Sequence, residues 1–212
     1  MTRPENQRPA DILRTMARGG GNGQSQSVAT AGGDQGREAG PAESCGDFDM
    51  RIGADGTWYY RNSPIGRLPL VKLFASVLRR EEDGSYWLVT PVERGIILVD
   101  DVPFTAVDVD IDGEGRSQTL RFRTNLDERV TADADHAIRV EVDSETGEPR
   151  PYIHVRNGLE ARILRSVYYR LVERGEFRRE DGRDDGRDAQ EEAFGVWSGG
   201  RFFTLGRIAS SD

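Results

Sequence analysis

From residue 50 onward, apolar and polar positions alternate in runs short enough for the strands and helices of a globular domain. Met50-Arg51-Ile52 and Thr57-Trp58-Tyr59-Tyr60 flank Asp55-Gly56, which predicts two short strands around a turn. Asn62-Ser63-Pro64 then offers a capping side chain and a proline at the first helical position, where its missing N–H is not needed. The stripe Ile65, Leu68, Leu70, Val71, Leu73, Phe74, Val77 and Leu78 predicts a helix running toward Arg80. Asp83-Gly84 turns the chain into Tyr86-Trp87-Leu88-Val89, and Gly95-Ile96-Ile97-Leu98-Val99 predicts another strand, ended by Asp100-Asp101. Residues 104–111 alternate at period two up to Asp112-Gly113, and residues 119–124 return, so a hairpin is expected there.

This plan recurs. Tyr152-Ile153-His154-Val155-Arg156-Asn157 resembles Trp58-Tyr59-Tyr60-Arg61-Asn62, each expected to end in Arg-Asn before a helix capped by the asparagine. Leu159, Ile163, Leu164, Val167, Tyr168, Leu171 and Val172 then fall on Ile65, Pro69, Leu70, Leu73, Phe74, Val77 and Leu78. Beyond Gly175, Phe194-Gly195-Val196-Trp197-Ser198 matches the Tyr86 strand, and Arg201-Phe202-Phe203-Thr204-Leu205 matches the Ile96 strand. The fold class expected is therefore α+β, with two repeated strand-helix-strand-strand units over 46–112 and 113–212. Residues 178–192 hold 11 charges in 15 positions and are expected to be a solvated insertion in the second unit.

The tract before the first aromatic residue, Phe48, is rich in Gly, Gln, Ser and Ala and cannot bury enough apolar surface to offset the entropy of ordering it. Residues 1–45 are expected to form a disordered or loosely docked arm. Ile12, Leu13 and Met16 in the segment 9–18 suffice for about two helical turns, too short to be stable alone. That segment has no apolar run or cleavage site of a secretory signal.

Composition narrows the function classes. No window of the 212 residues approaches the roughly 18 apolar residues of a spanning helix. A single cysteine, Cys45, excludes an internal disulfide or a zinc-ligand set, and the expected compartment is a reducing cytoplasm. Arm residues 1–45 carry five arginines and five acids, so the whole net charge of −8 rests on the rest of the chain. A body this acidic argues against duplex nucleic acid and anionic membranes as partners, while a small anion held by a few arginines stays compatible. Lys72 is the only lysine, a bias we read as compositional.

Several motifs have plain readings. Asp108, Asp110, Asp112 and Gly113 open like a calcium loop, but Thr119 stands where its bidentate Glu belongs and Arg116 adds a positive charge, so a half-buried strand is expected. His136 and His154 have no second ligand at helical spacing, and no metal is expected. Ser198-Gly199-Gly200 lacks the surroundings of a nucleophile elbow and reads as a hairpin turn. What survives is a set of polar residues at element ends: Arg61, Glu93, Thr124, Asn125, Tyr152, His154 and Arg156 are the candidate ligand-binding residues, with no catalytic residue among them. Arg61 and Arg156, at equivalent places in the repeats, could offer forked donors to one phosphate or carboxylate, or pair with nearby acids.

Trp58-Tyr59-Tyr60, Ser63-Pro64-Ile65, Leu73-Phe74-Ala75-Ser76-Val77-Leu78, Thr90-Pro91-Val92-Glu93, Pro103-Phe104, Thr124-Asn125, Pro151-Tyr152, Val155-Arg156-Asn157-Gly158-Leu159-Glu160-Ala161 and Trp197-Ser198-x-Gly200 together resemble the bacterial domain-of-unknown-function family numbered twelve eighty-five, over roughly residues 46–206. The resemblance implies a duplicated α+β core whose C-terminal half is a pleckstrin-homology-like partial barrel. It also implies a nucleotide-like ligand between the halves and a role in signal transduction under oxidative stress, and it brings no catalytic activity. The expectation is a non-enzymatic sensor whose ligand is nucleotide-derived and which has a signalling protein as a further partner. The alternatives are a protein-interaction module without a small ligand, and an enzyme, which would need Glu93 to meet His154.

Overall fold

A computed structural model describes residues 44–91, 93–179 and 191–209 of the chain. The expectations for the arm, for the segment 9–18, for the Cys45 side chain and for the interior of the charged insertion lie outside the described residues.

Six strands form the first sheet: β1 (Ser44–Ile52), β2 (Trp58–Tyr60), β3 (Ser63–Pro64), β4 (Leu78–Arg80), β5 (Tyr86–Val89) and β6 (Arg94–Val99), in the spatial order β3-β2-β1-β6-β5-β4. Its β1–β6 pair is parallel and the others antiparallel. Helix α1 (Leu68–Ser76) buries Val71, Phe74 and Ala75. The second sheet contains β7 (Phe104–Asp112), β8 (Thr119–Thr124), β9 (Arg129–Thr131), β10 (Ile138–Val142), β11 (Pro149–Arg156) and β12 (Leu159–Ile163), ordered β10-β11-β12-β7-β8-β9 around a parallel β12–β7 pair. Helix α2 (Arg165–Val172) follows and buries Val167, Tyr168 and Leu171. Strands β13 (Glu176–Arg179), β14 (Glu191–Ser198) and β15 (Arg201–Ala209) make a third, antiparallel sheet.

The fold is a mostly-β α+β arrangement with duplicated halves, and one buried apolar cluster runs from Met50 and Trp58 through Phe104 and Phe122 to Leu205. The period-two pattern of 104–111 is the strand β7, with Asp110 and Asp112 on its exposed positions. No helix among the described residues is long and apolar enough to cross a membrane.

Four expectations are corrected. Asn62 and Asn157 do not cap helices. Arg61 and Asn62 have φ of 47° and 64°, Asn157 and Gly158 of 47° and 75°, so each pair forms the centre of a two-residue hairpin turn that needs left-handed backbone. The helices start later, at Leu68 and Arg165, and their N-cap residues Arg67 and Leu164 make no side-chain cap. Leu159 and Ile163, expected on a helix face, alternate with exposed-side residues in β12, and the Arg-Asn landmarks sit one position apart in their two turns. The strands after α2 leave the second sheet, because β11 and β7 occupy the places beside β12. Lastly, the charged stretch enters the fold at both ends, Arg178 pairing with Ala193 and Arg179 with Glu192. The change of sheet falls between β6 and β7.

Candidate functional site

The chain passes from the first sheet to the second once, through Asp100, Asp101, Val102 and Pro103. Both acidic residues of this linker are held. Arg51 donates to both oxygens of Asp100, Nε at 2.8 Å and Nη2 at 2.5 Å, and this hydrogen bonding holds the Asp100 carboxyl below the usual carboxylate range. Asp101 accepts from the Tyr152 hydroxyl at 2.9 Å and from Arg162 Nη1 at 3.2 Å, while Arg162 also donates to the Tyr152 oxygen at 3.1 Å. Tyr152 is 2% exposed, and its ring lies between the guanidinium groups of Arg139 and Arg162, at 4.1 and 5.1 Å. Burial, reinforced by the Asp101 carboxylate, pushes the Tyr152 phenol above its ordinary value.

Beside this knot a cleft of about 530 Å³ opens between the halves. The first half contributes Ala54, Asp100 and Asp101. The second contributes the start of β11, the end of β12 and the first turns of α2, bringing Arg150, Arg162, Arg165, Tyr168 and Tyr169 to its wall. Two tyrosines thus stand next to three guanidiniums, a combination suited to a planar ring carrying an anionic group. Tyr168 is anchored by donating its hydroxyl to the Leu205 carbonyl at 3.1 Å, and burial raises its phenol. Tyr169 is half exposed and lies 5.9 Å from the Arg165 guanidinium. Each arginine has a carboxylate neighbour: Asp143 at 3.3 Å from Arg150, Asp101 at 3.2 Å from Arg162, Glu148 at 3.1 Å from Arg165. The Arg165 pair is more than half exposed, so a ligand can exchange for Glu148 at little cost.

Thr124, Asn125 and Arg156 meet at a different part of the same junction. Thr124 is fully buried, and its hydroxyl accepts from the Leu126 and Glu128 backbone N–H groups. Asn125 donates to the Gly56 carbonyl at 3.3 Å and accepts from the Thr105 N–H at 3.1 Å, which ties the β1–β2 turn to β7. Arg156 donates to the Ala75 carbonyl in α1 at 3.0 Å and stands 3.3 Å from Glu128. Arg80 with the Gly158 carbonyl and Lys72 with Asp127 complete this seam. Arg156 is thereby a staple between the halves. Arg156→Ala is expected to lower the unfolding free energy by about 2 kcal/mol, the cost of losing charged hydrogen bonds at a partly buried site. Urea unfolding measures the change.

The remaining candidates lie elsewhere. Arg61 occupies the β2–β3 turn and pairs with Asp49 at 3.4 Å, and Glu93 sits in the β5–β6 turn, where its backbone bonds Thr90. Arg61 pairs with Asp49 while Arg156 holds Ala75 and Glu128, so the two arginines do not converge on a common partner. His154 accepts the Gly158 N–H on Nε2 at 3.1 Å and holds the Asp135 carbonyl with Nδ1 at 2.6 Å. No hydrogen bond or ion pair joins Glu93 to His154. Among the described residues no group of three or more His, Cys, Asp or Glu could hold a metal ion.

Sequence reasoning reached Tyr152 but missed Asp101, Arg162, Arg165 and Tyr169. Asp100-Asp101 was legible only as the end of a strand. The usable signal for Arg162 was the alternation of buried Leu159, Ala161 and Ile163 with Glu160 and Arg162, a strand period inside a stretch that also matched a helix.

Residues 40–102 match the family model described as domain of unknown function (DUF1285), N-terminal domain, and residues 103–205 match that of protein of unknown function (DUF1285), C-terminal domain. The crystal structure of a DUF1285 family protein from Silicibacter pomeroyi DSS-3 is similar at a TM-score of 0.69 and 44% identity, covering 82% of this chain and 91% of that one. A DUF1285 family protein from Shewanella baltica OS155 matches at a TM-score of 0.45 and 27% identity, over 57% of this chain and 87% of that one. No curated protein matches the chain.

Proposed function

The chain belongs to the DUF1285 family, and from that premise we propose that it is a non-enzymatic sensor acting in the cytoplasm, binding a small nucleotide-like anion in the cleft between its halves. The observation that carries this reading is the meeting of Arg150, Arg162 and Arg165 with Tyr168 and Tyr169 in a cleft of about 530 Å³, a volume within the roughly 300–1,000 Å³ of small-molecule sites. Arginine forks suit phosphoryl oxygens, and tyrosine faces suit a base. The site set of the proposal therefore moves to these residues, with Tyr152 behind them. A pleckstrin-homology-like C-terminal half belongs to the same proposal, supported by the contact of β10 with β15, which brings the third sheet against the second.

Thermal scans of the full chain against AMP, ADP, cyclic dinucleotides and coenzyme A derivatives test it. A ligand at about 100 times its Kd adds about 2.7 kcal/mol, which at this size raises Tm by roughly 5 to 10 °C. The expected outcome is a rise for at least one phosphorylated compound that is abolished in Arg162→Gln, each protein being compared with its own ligand-free Tm. One observation favours a second reading, docking of a signalling protein. Leu98 is 63% exposed on the outward side of the first sheet, cross-strand from Arg51, which in turn faces Tyr59. A partner whose capture is lost in Leu98→Asp but retained in Arg162→Gln, with no thermal response to any compound, would put that reading first.

A further inference from the structure

Of the two acid–arginine pairs at the linker, Arg162–Asp101 is the looser. Arg51 grips Asp100 through two nitrogens, and Arg139 grips Glu160 through two, at 2.6 and 2.7 Å. Arg162 reaches Asp101 through Nη1 alone at 3.2 Å, and shares that nitrogen with the Tyr152 hydroxyl oxygen. A guanidinium used through one nitrogen keeps donors for a better-matched acceptor, and a phosphoryl group offers the paired oxygens that such a fork prefers. Asp101 and Arg162 both line the cleft, and Asp101 belongs to the only chain segment connecting the two six-stranded sheets.

We propose that Asp101 is a built-in competitor for the ligand of this cleft: an entering anion takes Arg162 from Asp101, and the displaced carboxylate loosens the linker that holds the halves together. The inference rests on the binding reading above and supplies its output. Occupancy of the cleft then weakens a connection between the sheets, so binding is transmitted without any new contact at a distance. The coupling is reciprocal: the anion weakens the Asp101–Arg162 contact by the same factor by which that contact weakens the anion. Tyr152 is the positioning residue, since its buried hydroxyl holds Asp101 in place from the other side.

Calorimetry with AMP and with inorganic pyrophosphate on the full chain, wild type and Asp101→Asn, tests this directly. The substitution keeps the size and a hydrogen-bonding oxygen but removes the competing charge. Affinity for both probes is expected to rise about fivefold, at the low end of measured couplings between sites. In wild-type protein, saturating AMP is also expected to speed hydrogen exchange of the Asp100 linker amide, which donates to the Ile52 carbonyl at 3.0 Å, a measurement that decides the matter even if the variant does not fold. An affinity unchanged or weakened by Asp101→Asn, or that linker amide slowed by AMP, overturns the proposal while leaving the binding reading in place. If wild-type protein binds neither probe and no other phosphorylated compound raises its Tm, the binding reading falls and this inference falls with it.

Discussion

Phe74→Ala is expected to lower the unfolding free energy by about 4 kcal/mol, the usual cost of emptying a buried phenylalanine site. The ring is fully buried in α1 and stacks on Trp58, with centroids 6.2 Å apart and planes inclined by 18°. Its loss opens a cavity between the helix and β2, neither of which can collapse freely. On one side β2 is hydrogen-bonded to β1, and on the other the Ala75 carbonyl next in the chain is held by Arg156 of the second half. Helix α1 is nine residues long and would not persist in isolation, so its order derives from this packing. Urea unfolding followed by tryptophan fluorescence measures the change, with Leu68→Ala, at a position 44% exposed, as the comparison that should cost under about 1 kcal/mol. A loss for Phe74→Ala below that of Leu68→Ala would mean that the helix does not dock through this ring.

Gly195→Ala is expected to cost about 3 kcal/mol, in the upper range for forcing extra volume into a packed site. A Cβ there would stand 2.3 Å from the Phe203 carbonyl oxygen and 2.7 Å from the Phe202 ring. The first of these is backbone of the strand to which β14 is hydrogen-bonded, so it cannot swing away as a side chain can. The pairing shifts register between Phe194 and Gly195, and a glycine at that irregularity lets the two backbones approach. Relief would require parting β14 from β15, which would uncover Val196, Phe203 and Leu205. Gly206→Ala is the control: a Cβ there meets nothing within 4 Å, and its effect should stay within about 0.5 kcal/mol. Equal losses in the two variants, measured by urea unfolding, would contradict the close approach at Gly195.

Turn residues and period-two runs carried most of the local structure. Asp55-Gly56, Asp83-Gly84 and Ser198-Gly199-Gly200 mark three of the hairpins, because few residues take left-handed backbone as readily as glycine. The errors clustered where one short apolar stretch satisfied two periods. Residues 159–172 read as one helix, yet the first five form β12 and the helix begins only at Arg165. Arg-Asn read as a helix cap at both 61–62 and 156–157, though asparagine tolerates left-handed backbone and serves a turn as well as a cap.

Local pattern alone determined that this chain folds as an α+β protein with a duplicated plan, because burial of alternate side chains is a property of each short segment and needs no knowledge of its partners. Candidate residues were legible only singly. Asn125 and Arg156 proved to hold the halves together and Thr124 its own turn, and no local feature singled out the arginines of the cleft. Which strand lies beside β12, and therefore which residues share the cleft with Asp101, depends on pairings between residues dozens of positions apart. Such pairings are chosen by the total burial of the whole core rather than by any local preference, and that choice alone placed Arg162 against the linker and opened the cleft next to it.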